Sequence, residues 1–385
     1  MSGARNHRPP RWERVPRNGR PPGSRRARKP VLVLGGAGFV GTSLAARLLC
    51  EGTRVIVLDD LSRHGSERNV AWLSAAFGQA LEVRVADVRD GDAVRAAVRR
   101  ASMVYHFAAQ VAVTTSLVDP RADFEVNVGG TLQVLEALRE LDEPPPLLFA
   151  STNKVYGTMP DLAVASNGMR YEPIDPEVRR HGISETRPID FYTPYGCSKG
   201  AADQYVLDFA RNYDIPAVVF RMSCIYGPRQ NGSEDQGWLA HLLRNALRDE
   251  PLRHFGDGLQ VRDLLFVNDL VDALLLVRDR ARDVTGRAFN IGGGAGNSIS
   301  LREFVQLVEE LFAVETEAEF HPGRTGDQLY YVSDSRAFRE AVGWRPRVGV
   351  REGIERLADW MLEGVAAQSA ATAVAAAAEA GERSS

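Results

Sequence analysis

Tyr195 and Lys199 stand four residues apart in Tyr195-Gly196-Cys197-Ser198-Lys199. On a helix that spacing puts a phenol and an ammonium on one face, so both reach one cavity. The ammonium lowers the phenol pKa from about 10 toward neutrality, and a tyrosinate is a general base near pH 7. A surface helix carries such a pair by chance, so the neighbours matter. Ser151-Thr152 closes the apolar run Leu147–Ala150, and the Thr152 hydroxyl can hydrogen-bond the oxygen whose proton Tyr195 takes. Among 47 basic residues only Lys29, Lys154 and Lys199 are lysines. A lysine kept in so arginine-rich a chain suggests a place that needs a compact ammonium.

A second cluster is built for phosphate. Gly35, Gly38 and Gly41 follow the apolar run Val31–Leu34 and open a helix that starts Phe39-Val40. Glycines permit the tight turn and a close backbone approach, and the helix N-terminus offers free N–H groups to a pyrophosphate. Asp59 and Asp60 end the next strand, where a carboxylate accepts from an adenosine ribose and repels a 2′-phosphate. Asp87-Val88 follow a third strand, toward the adenine. The dinucleotide is therefore read as NAD, while Arg63 keeps NADP open, and its positive nicotinamide ring is expected to help Lys199 lower the Tyr195 pKa.

The elements that must position these residues alternate. Strands are expected at 31–34, 54–58, 81–85, 103–107, 147–150 and 217–221. Helices are expected at 39–50, 90–99, 121–140 and 195–213. That order predicts a right-handed, doubly wound parallel (Rossmann) α/β sheet. From about Ser223 the pattern loosens into polar loops with helices at 237–249, 268–280, 301–312 and 350–362, read as a smaller substrate-binding lobe. The expected division is a basic arm (1–29), an NAD-binding domain (30–222, with 262–292 returning to it), the lobe (223–364) and an Ala-rich tail (365–385).

Together these motifs resemble the extended short-chain dehydrogenase/reductases, the nucleotide-sugar epimerases and dehydratases, over about Lys29 to Leu362. The resemblance implies bound NAD, a Thr152/Tyr195/Lys199 catalytic set and a homodimer paired through helices 121–140 and 195–213. It implies that Asn127 shapes the cofactor site. Phe107, Ala108, Ala109 and Gln110 should line the nicotinamide ribose. Ser151, Met222 and Ser223 complete that wall.

Longer strings resemble one branch of the family, which inverts C2 of CDP-hexoses of the paratose/tyvelose type. They include Ser151-Thr152-Asn153-Lys154-Val155-Tyr156-Gly157, Glu234-Asp235-Gln236-Gly237-Trp238 and Gly256-Asp257-Gly258-Leu259-Gln260-Val261-Arg262-Asp263. Gly323-Arg324-Thr325-Gly326-Asp327-Gln328 departs from that branch's usual Arg-Pro-Gly-Asp-Gln. A 4,6-dehydratase needs an acid and a base after the threonine; Asn153 and Lys154 cannot serve as the carboxylic acid and carboxylate of that reaction. A 4-epimerase usually has Asn where Cys224 stands. The reading is a CDP-sugar 2-epimerase working by transient oxidation, with a UDP- or dTDP-sugar 4-epimerase or a non-catalytic NAD-binding regulator as alternatives. Arg262 and then Arg324 are the candidates for the diphosphate; a surface ion pair is the other reading of Arg324. Lys154 reaches a sugar hydroxyl or a phosphate, or forms a structural ion pair. Gln110, Thr114, Asn153, Cys224, Gln236, Gly237 and Asp327 complete the substrate set. Trp238 stacks on the base or packs the lobe. Cys197 and Cys224 are read as buried thiols and His106 as a satisfied structural histidine.

Composition excludes other classes. A net charge of −3 with 44% hydrophobic residues is that of a globular chain. Nine Arg and Lys29 against Glu13 give residues 1–30 a net +9, which leaves −12 for the rest. That arm is read as a solvated extension, with a nucleic-acid tail as the alternative. No run is long enough to span a membrane. Three cysteines at unrelated spacings suggest neither disulfides nor a metal site and fit a reducing cytoplasm.

Overall fold

The computed structural model describes residues 29–363. The basic arm, save Lys29, and the Ala-rich tail lie outside that range. Seven parallel strands form the central sheet: β1 (Val31–Leu34), β2 (Val55–Asp59), β3 (Leu81–Val85), β4 (Met103–His106), β5 (Leu147–Thr152), β8 (Ala217–Met222) and β12 (Arg287–Ile291). Their order is β12-β8-β5-β4-β1-β2-β3. Val/Leu/Ile-rich runs such as Val31–Leu34 and Leu147–Phe149 are buried throughout, as a sheet covered on both faces requires.

Two apolar clusters cover the two faces. One takes side chains from α1 (Phe39–Cys50), α2 (Ser66–Phe77), α10 (Val267–Asp279) and α13 (Arg336–Val342). The other uses α3 (Gly91–Val98), α6 (Gly130–Arg139) and α8 (Thr193–Asn212). Two short helices, α4 (Val113–Val118) and α5 (Pro120–Phe124), lead through a π-helical turn at Glu125–Gly129 into α6. β1 pairs in parallel with β2 on one side and β4 on the other, and the strand order reverses between β1 and β4. Loops leaving the carboxyl ends of strands at such a reversal diverge and open a crevice.

The rest forms a smaller lobe over that crevice. β9 (Cys224–Tyr226), β11 (Val261–Phe266), β13 (Ser298–Ser300) and β15 (Tyr330–Tyr331) make a four-stranded sheet. Two pairs flank it: β6 (Val164–Ser166) with β7 (Tyr171–Pro173), and β10 (Leu252–Phe255) with β14 (Ala318–His321). A third apolar cluster joins this sheet to α9 (Trp238–Ala246), α12 (Leu301–Phe312) and α14 (350–363). Helices α7 (Pro176–His181) and α11 (Ala281–Val284) are short connectors.

The periodicity-based elements through Met222 recur within one or two residues, while α2, α4, α7 and the β6–β7 pair were not expected. The first turn of α2 is Ser66-Glu67-Arg68-Asn69, polar enough to read as loop. The expected loop-and-helix lobe is also wrong in part, because it contains six short strands from Cys224 on besides β12. Their signal is broken by charges: β11 carries Arg262 and Asp263, both buried and paired. Within 262–292, β12 and α10 do pack with the central sheet, whereas β11 belongs to the lobe. Among the described residues no helix is long and apolar enough to cross a membrane.

His106, at the end of β4, is fully buried against Phe149. Its Nε2 lies 3.1 Å from Thr131 Oγ1, but Nδ1 has no partner among the described residues. It is thus half satisfied, not fully as expected. Burial, with Lys199 nearby, pushes its pKa down to about 3. The folded protein holds the neutral ring, so below pH ~6.5 the unfolded chain binds the extra proton. Stability therefore falls as pH drops from about 6.5 toward 3, by about 2 kcal/mol at pH 5 from this group. Thermal midpoints measured from pH 7 to pH 5 should fall, and His106→Gln should flatten that slope.

Candidate active site

The crevice is a cavity of about 2190 Å³ that runs from the glycine loop to the lobe. Ordinary ligand pockets span about 300–1,000 Å³. The volume suits two elongated ligands end to end.

The phosphate end is made by backbone. Gly35, at φ +76°, leaves β1 so close to β4's outgoing loop that a Cβ would stand 2.5 Å from Ala108 N. α1 begins at Gly38 with no side chain capping its first turn, so its N–H groups face the crevice unclaimed by a cap. Phe39, Val40 and Gly41 line the same wall. Asp59 Oδ2 accepts from Ala37 N and Oδ1 from Leu61 N, both at 2.9 Å. Each oxygen keeps a second lone pair for a ribose hydroxyl. Burial raises the Asp59 pKa. Asp60 turns to Ser62. Asp87 and Val88 line the adenine side, though the Asp87 carboxylate is held by Arg89 at 2.7 Å. Asn69, in the unexpected α2, donates to Ala37 O and braces the glycine loop.

The proton end is made by α8. Tyr195 and Lys199 are both buried one turn apart. Gly200 lets the helix seat, since a Cβ there would stand 2.2 Å from the Phe191 ring. Lys199 Nζ lies 4.2 Å from the Phe149 ring centroid. No hydrogen-bond acceptor meets it among the described residues, so its donors are open to a ligand's hydroxyls. Burial lowers the Lys199 pKa to about 7. Burial raises Tyr195 to about 12, against the Thr152 hydroxyl and the Arg63 charge, which pull it down. The expected lowering of the phenol toward neutrality joins Lys199 to the positive ring of oxidised NAD; among the protein's own groups the net direction is upward. The Lys199 ammonium sits over Phe149, and burial of the phenol dominates.

Ser151 donates to Asp203 Oδ2 at 2.8 Å, and Thr152 Oγ1 accepts from Lys154 N at 3.2 Å. Phe107, Ala108, Ala109, Gln110, Met222 and Ser223 all line the crevice. Asn127 does not: it clamps the wall from behind. Its amide donates to Ser198 Oγ at 2.9 Å and to Gln110 O at 3.1 Å, and it accepts from Gln110 N at 2.9 Å. The π-helical turn carries it there.

The substrate end is a charge cluster. Lys154 Nζ donates to Gly326 O at 3.1 Å and lies 3.5 Å from Asp327 Oδ1, which also accepts from Arg262 Nη2 at 2.6 Å. Burial lowers the Lys154 pKa; burial works against the Asp327 charge, yet Arg262 and Lys154 hold its pKa down. Asn153 donates to Gln328 at 3.2 Å. Asn153, Lys154, Cys224, Gln236 and Gly237 line the crevice. Thr114, Arg262, Arg324 and Asp327 do not. Val113 and Thr115 line it in place of Thr114, and Arg324 is held by Glu234. Trp238 packs edge-on to Phe304 in the lobe core and donates to Cys224 Sγ at 3.5 Å. Cys224 is half-buried, but Cys197 is exposed, contrary to the expected buried thiol.

Residues 31–292 match the NAD dependent epimerase/dehydratase family. The chain is 38% identical over 337 residues to the CDP-paratose 2-epimerase of Salmonella typhi, covering 86% of this chain and 98% of that protein. Its fold matches the UDP-glucose 4-epimerase of Thermotoga maritima with UDP-glucose at a TM-score of 0.75 and 28% identity, over 87% of this chain and 99% of the other. The UDP-glucose 4-epimerase of Thermus thermophilus in complex with NAD matches at a TM-score of 0.71 and 32% identity, over 86% and 98%.

One pair behind the site was not read from the sequence. Asp203, one turn past Lys199, meets Arg221 of β8 twice, at 2.9 and 3.0 Å, with both side chains buried. Arg221 also donates to Tyr156 OH at 3.2 Å. Only their separation by a helix and a strand hides this pairing. Removing one partner of such a pair leaves a buried charge and costs about 3–5 kcal/mol, whereas replacing both by apolar groups is near neutral. Asp203→Ala should lower the denaturant midpoint accordingly, and Asp203→Leu with Arg221→Met should restore most of it.

Proposed function

The chain belongs to the NAD-dependent epimerase/dehydratase family and is an NAD-dependent nucleotide-sugar epimerase, and on that premise we propose that it inverts C2 of a CDP-hexose. The choice of C2 rests on the 38% identity to a CDP-paratose 2-epimerase over 98% of its length, and the position after Thr152 sets dehydration aside. Asn153 is bonded to Gln328, and Lys154 is tied to Gly326 and Asp327. Asp327 is kept ionised by two cations, so it has no proton to give. Dehydration in this family needs a carboxylic acid and a carboxylate there, and the two positions after Thr152 hold Asn153 and Lys154 instead. The 2-epimerase relative, matched over nearly its whole length, supports C2 and cytosine.

The residues fit the cofactor: open N–H groups at α1, Asp59 for the ribose, and the unpaired donors of Lys199. Bound NAD supplies a hydride acceptor and donor, and the positive charge of its oxidised ring. Lys199 would hold the ribose hydroxyls of bound NAD and add positive charge beside the phenol. Tyr195 takes the C2 hydroxyl proton as general base and returns it when the sugar is reduced again. Thr152 donates to the same oxygen as it becomes the carbonyl of a 2-keto sugar. Asn127 keeps the Gln110 turn and α8 in register while the sugar presents its other face.

The test is NMR of the purified protein with CDP-glucose or CDP-paratose in D2O, with no cofactor added. Conversion to the C2 epimer without deuterium at C2 is expected, and Tyr195→Phe should lose conversion by at least about 10²-fold. Deuterium at C2 would mean enolisation instead. Conversion only of UDP- or dTDP-sugars, at C4, would favour the 4-epimerase reading.

We also propose a homodimer through α4, α5 and α8. Val118 (86% exposed), Phe124 (57%), Leu117 (48%) and Tyr205 (46%) put large apolar side chains on those helices' surface. Sedimentation at micromolar concentration should give a dimer. Val118→Asp with Phe124→Asp should give a monomer.

A further inference from the structure

Arg324 is a diphosphate candidate that does not face the crevice, while Glu234 and Asp235 do. Its guanidinium lies 3.8 Å over the Phe255 ring. Nη1 donates to Glu234 O at 2.8 Å and Nη2 to Glu234 Oε1 at 3.2 Å, with Asp235 Oδ1 at 3.9 Å. Arg253 approaches the other Glu234 oxygen at 3.4 Å. The two carboxylates thus stand between this arginine and the crevice.

The segment that carries them, 229–237, runs from one half of the molecule to the other. Arg229 stacks 3.3 Å over Trp72 of α2, and Asn231 accepts from Arg68 of α2 at 3.4 Å. Gln236 accepts from Arg63, between β2 and α2. Ser233 and Gln236 close a tight turn on each other, N to O, at 2.8 and 3.2 Å. Both ends use left-handed backbone, Arg229 at φ +71° and Gly237 at +75°. The segment is a strap across the mouth, held by arginines on both sides.

We propose that Glu234 is a resident anion on Arg324, and that the substrate's diphosphate takes its place, so that the 229–237 strap is a charge-exchange latch. This rests on the nucleotide-sugar reading. Exposure decides whether the pair can exchange. Arg324 and Glu234 side chains are 27% and 37% exposed, a setting in which an ion pair is weak. The Asp203–Arg221 pair, at 1% and 6%, is not exchangeable. A diphosphate offers Arg324 several oxygens in bidentate geometry and more negative charge than one carboxylate. Glu234 then keeps the arginine ordered and solvated until that ligand arrives, at the cost of some affinity.

The test is calorimetric titration of the full-length, cofactor-loaded protein with CDP, UDP and dTDP, and with the three matching nucleosides. Glu234→Gln should bind the preferred diphosphate about threefold to tenfold tighter and leave the nucleoside's affinity unchanged. In the Arg324→Met background that gain should vanish. An unchanged or weaker diphosphate affinity in Glu234→Gln overturns the latch. So does an equal gain for the nucleoside, or a gain that survives Arg324→Met. Binding of UDP or dTDP but not CDP overturns the cytosine reading, and the latch is then read with the diphosphate that binds. Binding of none of the three overturns both.

Discussion

A buried carboxylate, Asp203, fixes where the chemistry can happen. It projects from α8 one turn beyond Lys199 and meets Arg221 on β8 and Ser151 on β5. Helix and sheet therefore cannot slide past each other without stranding a charge, which a low-dielectric interior penalises by several kcal/mol. The tip of β5 carries Thr152, and the first turn of α8 carries Tyr195. One interaction thus sets the distance between a hydroxyl donor and a phenol that are 43 residues apart in the chain. Tyr156 and Asn290 extend the same network to β12, at the sheet's edge.

Ion pairs in this arginine-rich chain fall into a gradient of burial that matches three kinds of use. Asp203–Arg221 is sealed and structural. Asp327, shared between Arg262 and Lys154, is partly exposed and joins the lobe to the tip of β5. Glu234–Arg324 is open enough to exchange. The two lysines of the site follow the same logic. Lys199 sets a compact ammonium 4.2 Å from the centre of the Phe149 ring. Lys154 makes one carbonyl bond and one ion pair from a single compact head.

The parallel sheet and the glycine loop were legible because their signals are local. Val31–Leu34, the glycines and Phe39–Cys50 announce strand, turn and helix within twenty residues, and the helix bounds agree to the residue. Tyr195 and Lys199 were legible for the same reason: one helical turn relates them. What escaped was non-local. Asp203 and Arg221 are ordinary charges until a helix packs on a strand. Val261–Phe266 reads as too charged for a buried strand until Asp327 and Ser223 are brought to it. Nothing in the sequence says that Glu234 lies over Arg324.

The distribution of polar groups follows from what epimerisation demands. A sugar that must turn over between losing and regaining a hydride cannot be gripped by many directional bonds, because each would favour one face. Affinity must then come from the part that stays still. Phe107, Ala108, Val111, Ala112, Ala150 and Met222 give the crevice that holds Thr152 and Tyr195 apolar, nearly non-directional wall, beside the polar Gln110, Ser151 and Asn153. The strong charges, Lys154, Arg262, Arg324 and Asp327, cluster toward the lobe. On the proposed function, such a division would anchor the diphosphate and leave the ring beyond it free to rotate. It also accounts for the Asn153–Gln328 bond: an amide pair keeps the boundary between the two regions free of a carboxylate at position 153, next to Thr152. A carboxylate at position 153 would place acid–base chemistry next to the ketone, where the adjacent carbon's proton becomes acidic. That boundary is therefore a condition for returning the hydride without losing the sugar to elimination.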